Sequence, residues 1–288
     1  MLRIGPFEIY SVINGTFRLD GGAMFGVVPK VLWSSVAQAD QANRIPLATR
    51  TLVAVDRTGG RVILVDTGCG TKWKREAAQR HAIVSDSDAV PRFLTTIGLT
   101  VDDVTDLVVT HLHFDHNGGL TDWVAEPGGK TKLRYPGARH WIHKGHWQHA
   151  RNPHVKERPS FIPADFTALA DSDKLVLVDG PDPPPPFDGM SWLVTYGHTP
   201  YQIHPVFGTA DEKLVFAGDL VPTAAHLRPT WVMAYDLLPM TTIDEKRALY
   251  ERCVEQGWLL AFPHDPHIAA VAVEGTPDRP SVARSVEL

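Results

Sequence analysis

The run Thr110-His111-Leu112-His113-Phe114-Asp115-His116 follows directly on the apolar stretch Leu107-Val108-Val109, and it constrains this chain more than any other feature. A short apolar run of this kind reads as a buried strand. The loop leaving such a strand can turn three imidazoles and a carboxylate toward one point. Those are the donors that borderline divalent ions such as zinc prefer. Partners follow downstream, each at the end of an apolar run: His198 after Ser191-Trp192-Leu193-Val194, Asp219 after Lys213-Leu214-Val215-Phe216, and His264 after Trp258-Leu259-Leu260. Side chains at the ends of adjacent strands converge on one sheet edge however far apart they lie in sequence. His111, His113, Asp115, His116, His198, Asp219 and His264 therefore offer enough ligands for two metal ions. Clustered histidines also arise at surfaces and by chance, but the preceding strand, the Gly118-Gly119 pair and the strand-end placement of the other three argue against that reading.

The remaining pattern bounds the architecture. Phe7 to Gly15 alternates and ends at Asn14-Gly15, which predicts a strand running into a turn. Thr51-Val55 and Val62-Val65 flank Arg57-Thr58-Gly59-Gly60, a hairpin by composition. Lys72 to His81 and Ala89 to Ile97 carry helical spacing, with Gly98 as a stop. Arg139 to Val155 reads as strand then helix, and Lys174 to Val178 as a strand. Pro181-Asp182-Pro183-Pro184-Pro185-Pro186 cannot donate to a ladder and reads as an extended surface connection. Strands, helices, strands and helices in this order suit two sheets face to face with helices on both outer surfaces. That is an α/β, four-layer αββα sandwich, taken as a single domain over residues 1–288 with no internal repeat.

Composition excludes several function classes. The net charge is −5 and Lys and Arg are scattered, so there is no electrostatic footprint for nucleic acid. No apolar run approaches the roughly 18 to 20 residues needed to span a membrane as a helix. With only Cys69 and Cys253 and no secretory signal at Met1-Leu2-Arg3-Ile4-Gly5-Pro6, a reducing cytoplasm is expected, and the spacing leaves a disulfide between the two open. There is no GxSxG nucleophile elbow, so a water activated by metal is the natural nucleophile.

The motif series HxHxDH, Gly197-His198, Gly218-Asp219 and the late His264, with Val65-Asp66-Thr67-Gly68 upstream, resembles the metallo-β-lactamase superfamily over most of residues 7 to 270. Asp20-Gly21-Gly22-Ala23-Met24-Phe25-Gly26-Val27-Val28-Pro29-Lys30 and Trp231-Val232-Met233-Ala234-Tyr235-Asp236 narrow the resemblance to YtnP-type N-acyl-homoserine lactonases. The resemblance implies the same layered fold, with His111, His113 and His198 holding one metal, Asp115, His116 and His264 the other, and Asp219 bridging both. The implied cofactors are two divalent ions, zinc first, with manganese, iron or cobalt tolerated. The implied substrate is a small lactone or ester, and Asp115 would pass a proton to the leaving alkoxide. Phosphotriesterase-like or thioesterase (glyoxalase II-like) activity is the alternative on the same site. A metal-stabilised, lactone-sensing or interaction protein is the non-enzymatic alternative.

Related lactonases are expected to place a Tyr close after the bridging Asp, but Leu220-Val221-Pro222-Thr223 follows Asp219 here. Tyr235 and His226 are the candidates to hold the carbonyl in its place. Asp66 reads as a carboxylate that orients a ligand imidazole. Met24 and Phe25, in a glycine-framed loop before Trp33, suit either an acyl-chain pocket or a homodimer contact. The stripe His140, His143, His146 and His149 reads as solvated rather than as a further metal site. Lys72-Trp73-Lys74-Arg75 reads as a solvated helix start.

Overall fold

Strand Arg61–Val65 shows how the layers arise. Val62 and Leu64 enter one hydrophobic cluster while Ile63 and Val65 enter another. Successive side chains point to opposite faces, and here both faces are buried, which is why the run is apolar throughout rather than alternating. The computed structural model describes residues 1–209 and 212–288. Its first sheet has eight strands, its second six, and a two-stranded ribbon, Thr121–Trp123 with Thr131–Leu133, lies apart.

The sheets meet face to face through Ile9, Leu52, Ile63 and Val108 on one side and Trp192, Phe207, Phe216 and Ala261 on the other. Helices Ala89–Thr96 and Lys144–Arg151 cover the outer face of the first sheet through Val90, Leu94 and Trp147. Helix Pro239–Gln256 covers the outer face of the second through Leu249, Tyr250 and Cys253. It begins on Pro239, whose missing N–H costs nothing in a first turn, and stops at Gly257 in the left-handed region. This is the αββα order expected from the sequence. The predicted hairpin is present, Arg44–Asp56 pairing antiparallel with Arg61–Val65. The two predicted helices appear as Arg75–Arg80 and Ala89–Thr96.

One expectation is corrected. Asn14-Gly15 is not a turn but an irregularity inside a long strand, Phe7–Asp20. The Asn14 side chain donates to Thr51 Oγ1 at 2.7 Å and accepts from Thr49 Oγ1 at 2.6 Å, so pairing with Arg44–Asp56 overrides the local turn preference.

Strand directions explain the site. Asp106–Val108 lies parallel to both Arg61–Val65 and Arg139–His143. In the second sheet Met190–Thr195 and Lys213–Phe216 both run antiparallel to Gln202–Gly208, and Leu259–Ala261 runs parallel to Lys213–Phe216. Within each sheet the strands preceding the candidate residues therefore point the same way. Their C-terminal ends carry Asp66 and the HxHxDH loop on one side of the sandwich and His198, Asp219 and His264 on the other.

Candidate active site

After Asp106–Val108 the chain turns once, and the short helix Phe114–Asn117 brings Asp115 and His116 back beside His111 and His113. The turn is pinned to the Asp66 loop by Asp66 N donating to Val108 O at 2.9 Å and Thr67 N to His116 O at 2.7 Å. The two loops touch so closely that a Cβ on Gly118 would stand 2.1 Å from Cys69 O, which admits only glycine.

All seven expected donors converge. His111, His113 and His198 form one group and Asp115, His116, Asp219 and His264 a second, and within each group the donor atoms lie within 4.8 Å of one another. Asp219 spans both groups. Its Oδ1 is 3.2 Å from His116 Nε2 and 3.1 Å from His264 Nε2, and its Oδ2 is 3.3 Å from His198 Nε2.

Every imidazole in the cluster has its outer nitrogen engaged. His116 Nδ1 faces Asp66 Oδ2 at 2.8 Å, and His198 Nδ1 faces Asp236 Oδ1 at 2.9 Å. His264 Nδ1 donates to Ala48 O at 2.9 Å, and His113 Nε2 faces Glu157 Oε2 at 3.3 Å. Thr110 Oγ1 donates to Asp66 Oδ2 and so accepts from His111 Nδ1 at 3.0 Å. Acceptors on the outside place the proton there and leave a bare lone pair inside. His113 is the exception in orientation, presenting Nδ1 inward where the other four present Nε2.

This arrangement fits metal ions. His113 Nδ1 and His198 Nε2 stand 3.2 Å apart, and His116 Nε2 and His264 Nε2 3.0 Å apart. Two facing lone pairs at that distance repel unless a cation lies between them. Tetrahedral nitrogen ligands about 2.0–2.1 Å from a zinc-sized ion stand about 3.3 Å apart. His111 Nε2 and Asp219 Oδ1 are buried without a hydrogen-bond partner, a cost that coordination removes. The electrostatics agree. Burial, with His116 and His113 nearby, holds His111 well below the usual imidazole range. Burial opposes charge on Asp219, yet His116, His264 and His198 hold its carboxyl well below the usual carboxylate range. His116 is buried too, but Asp219, Asp115 and Asp66 drive it well upward. The cluster thus attracts positive charge.

The metallo-beta-lactamase superfamily profile matches residues 48–271, a span containing all seven donors. The chain belongs to the metallo-β-lactamase superfamily. It is a metal-dependent hydrolase with a site built for two ions, which removes the reading of a metal-stabilised sensor. No curated protein matches the chain. Among solved structures, a probable metal-dependent hydrolase from Staphylococcus aureus is 27% identical with a TM-score of 0.85, covering 99% of this chain and 100% of its own. AidC, a dizinc quorum-quenching lactonase solved with the product N-hexanoyl-L-homoserine, is 18% identical with a TM-score of 0.79, covering 100% and 97%. An N-acyl homoserine lactone hydrolase with the same product at its catalytic metal center is 16% identical with a TM-score of 0.67, covering 92% and 95%. The last two share the fold of this superfamily member.

A cavity of about 170 Å³ opens over the cluster. His113, Asp115, His198, Asp219 and His264 form its floor, and Leu19, Met24, Leu47, Phe114 and Met233 form apolar wall. Tyr235 reaches this cavity. Burial, with Asp115 nearby, pushes its phenol up to about 12, so the hydroxyl keeps its proton as a donor.

His226 does not reach it and is corrected to a structural residue. Its ring stacks on Phe25 with centroids 4.6 Å apart, Nδ1 meets Thr223 Oγ1 at 2.8 Å and Nε2 donates to Met24 O at 2.8 Å. The exposed-loop reading of Met24 and Phe25, on which a homodimer contact through them rested, is corrected as well. The two residues lie in the short helix Gly21–Phe25, exposed by 1% and 0%, and pack within their own chain. Met24 lines the cavity, while Phe25 does not and instead stacks on Trp33.

The histidine stripe is neither a metal group, among the described residues, nor solvated. His140, His143 and His146 are buried, and His146 Nε2 accepts from Leu112 N at 2.7 Å, bracing the metal loop. His149 contacts Glu157, the same carboxylate that faces His113. Lys72 is not solvated either. Its side chain is buried beside Asp165, 3.2 Å away, and its ammonium donates to Gly118 O and Thr121 O. Both cysteines are free and buried. No helix among the described residues is long and apolar enough to cross a membrane. Sequence reasoning missed Glu157 and Asp236 as orienting carboxylates. Asp236 lay inside a stretch already singled out, whereas Glu157 sits in an irregular segment with no signal of its own.

Proposed function

We propose that this hydrolase is a lactonase that opens N-acyl-homoserine lactone rings, with His111, His113 and His198 holding one ion, Asp115, His116 and His264 the other, and Asp219 shared. Zinc is the ion we assign, although five imidazoles and two carboxylates also accommodate manganese, iron or cobalt. Two such ions supply a water acidified toward about pH 7 and a Lewis acid for a carbonyl.

The residues do the rest. Asp66, Asp236, Glu157, Thr110 and the Ala48 carbonyl keep the five imidazoles in one protonation pattern. Asp115, on the cavity floor, takes the proton that the attacking water gives up as its oxygen bonds to the lactone carbonyl carbon, and returns it to the ring oxygen as the carbon–oxygen bond of the ring breaks. Tyr235 donates its hydroxyl to the lactone carbonyl, taking the role that Leu220 to Thr223 cannot fill. Leu19, Met24, Leu47, Phe114 and Met233 seat the acyl chain and keep bulk water from the ring.

The observation that carries this reading is the cavity itself, a reactive polar floor under an apolar wall, which matches a polar ring bearing an acyl chain. The lactonases among the structural neighbours support it. Metal-loaded protein mixed with N-hexanoyl-L-homoserine lactone should release one proton per ring opened. A parallel panel of a phosphotriester, a thioester and a β-lactam should turn over far more slowly. No proton release with both ions bound rejects the reading, and a faster thioester or phosphotriester replaces it.

A further inference from the structure

One polar group stands out in the apolar wall. His81 follows helix Arg75–Arg80, and its backbone is fixed on both sides, its N–H donating to Ala77 O and its carbonyl accepting from Arg18 N at 2.7 Å. The ring lines the active-site cavity, set against Trp73 at 6.3 Å and Phe114 at 6.2 Å between centroids. Neither ring nitrogen has a hydrogen-bond partner within 3.5 Å among the described residues, in contrast to the five cluster imidazoles. Apart from the cavity floor and Tyr235, only His81 and Ser160 among the described residues bring polar side chains to this cavity.

We propose that His81 is a specificity-determining residue that reads an amide on the acyl arm of the substrate. This rests on the lactonase reading and deepens it. A plain hydrocarbon arm passing this ring would strip water from the imidazole and leave it unpaired, which is unfavourable. A neutral imidazole offers one N–H and one bare nitrogen, and a secondary amide offers a carbonyl and an N–H that point opposite ways, so the ring can make one hydrogen bond with the amide, to its carbonyl or from its N–H. An ester or thioester arm offers acceptors only. Burial, together with Arg80, lowers the imidazole from its ordinary value, which keeps the neutral form dominant at pH 7. His81 is thus a positioning group for the arm and leaves the ring chemistry to the floor.

The test compares metal-loaded wild type, His81→Phe and His81→Asn on N-hexanoyl-L-homoserine lactone and on γ-decalactone, an alkyl lactone with the same ring size and no amide. His81→Phe should raise KM for the amide substrate about 5- to 100-fold, with kcat changed much less, while KM for γ-decalactone stays level or falls, because its hydrocarbon arm no longer strips water from an imidazole. His81→Asn, which restores a donor and an acceptor, should recover most of the loss. Calorimetric binding of the opened product N-hexanoyl-L-homoserine should weaken in parallel with KM. Equal losses on both lactones, or no loss on either, overturn the role of His81 while leaving the lactonase reading intact. A wild type that opens neither lactone overturns both.

Discussion

Asp236→Asn tests how the outer hydrogen bonds govern the metal site, because the two side chains have the same shape and differ in what they can accept. The Asp236 carboxylate faces two donors, His198 Nδ1 at 2.9 Å through Oδ1 and Met233 N at 3.1 Å through Oδ2. An amide accepts through only one of its ends. If its oxygen serves His198, the NH₂ confronts the Met233 N–H and a buried donor goes unpaired, at about 1–3 kcal/mol. If the oxygen serves Met233, the NH₂ faces His198 Nδ1 and moves the imidazole proton to Nε2, the atom that faces Asp219 and His113. Either outcome weakens the group formed by His111, His113 and His198. The expected loss of metal affinity is about 10–100-fold, or ~1.4–2.7 kcal/mol. The group formed by Asp115, His116 and His264 keeps its own partners and should hold its ion. After dialysis against a graded chelator, elemental analysis should find one ion per chain in Asp236→Asn under conditions where wild type retains two. A folded variant that keeps two ions at wild-type affinity would refute the reasoning.

Other expectations follow from the same geometry. Asp219→Ala removes the only carboxylate among the described residues that faces both groups, so turnover should fall at least about a hundredfold while circular dichroism stays native; retained turnover would sink the bridging role. Tyr235→Phe and His226→Phe should separate cleanly. The first lowers kcat/KM about 100–1000-fold without changing the melting temperature. The second strips Met24 O and Thr223 of a partner and costs about 1–3 kcal/mol of stability while metal-loaded turnover per folded molecule stays near wild type. Lys246 is buried, donates to Arg228 O and Trp231 O, and is pushed down to about 7 by burial. The unfolded lysine keeps its proton to about 10.4, so between these values the unfolded state binds more protons and stability rises with pH. Relative to Lys246→Met, wild type should gain on going from pH 7 to 9 with a slope approaching ~1.4 kcal/mol per unit, read by denaturant unfolding; a flat difference would show that burial does not suppress this charge.

The layered fold and the seven donors were legible in the sequence for one physical reason. The donors lie in the loops and short turns that leave apolar strands, so the chemistry and the secondary-structure signal fall close together. What was hidden depends on contacts between distant segments. Glu157 reaches His113 across 44 positions from a segment with no period. Lys72 reads as one charge in a basic run, and only the fold reveals Asp165 and two carbonyls around it. Met24 and Phe25 read as an exposed loop because the glycines around them suggest flexibility, yet Asp20 caps a short helix there by accepting from Ala23 N at 2.9 Å and turns both side chains inward. Asn14-Gly15 carries the strongest local turn chemistry in strand Phe7–Asp20 and is overruled by pairing on either side of it. The histidine stripe misled in the opposite direction, since its first two members lie on a strand and its last two on a helix.

The most direct check is a crystal of the protein as purified, with anomalous data collected on both sides of the absorption edges of zinc, iron, cobalt and manganese. Two peaks per chain are predicted, one against His111 Nε2, His113 Nδ1 and His198 Nε2 and one against Asp115, His116 Nε2 and His264 Nε2, with Asp219 touching both. A single peak, or two peaks that leave Asp219 in contact with neither, would contradict the account.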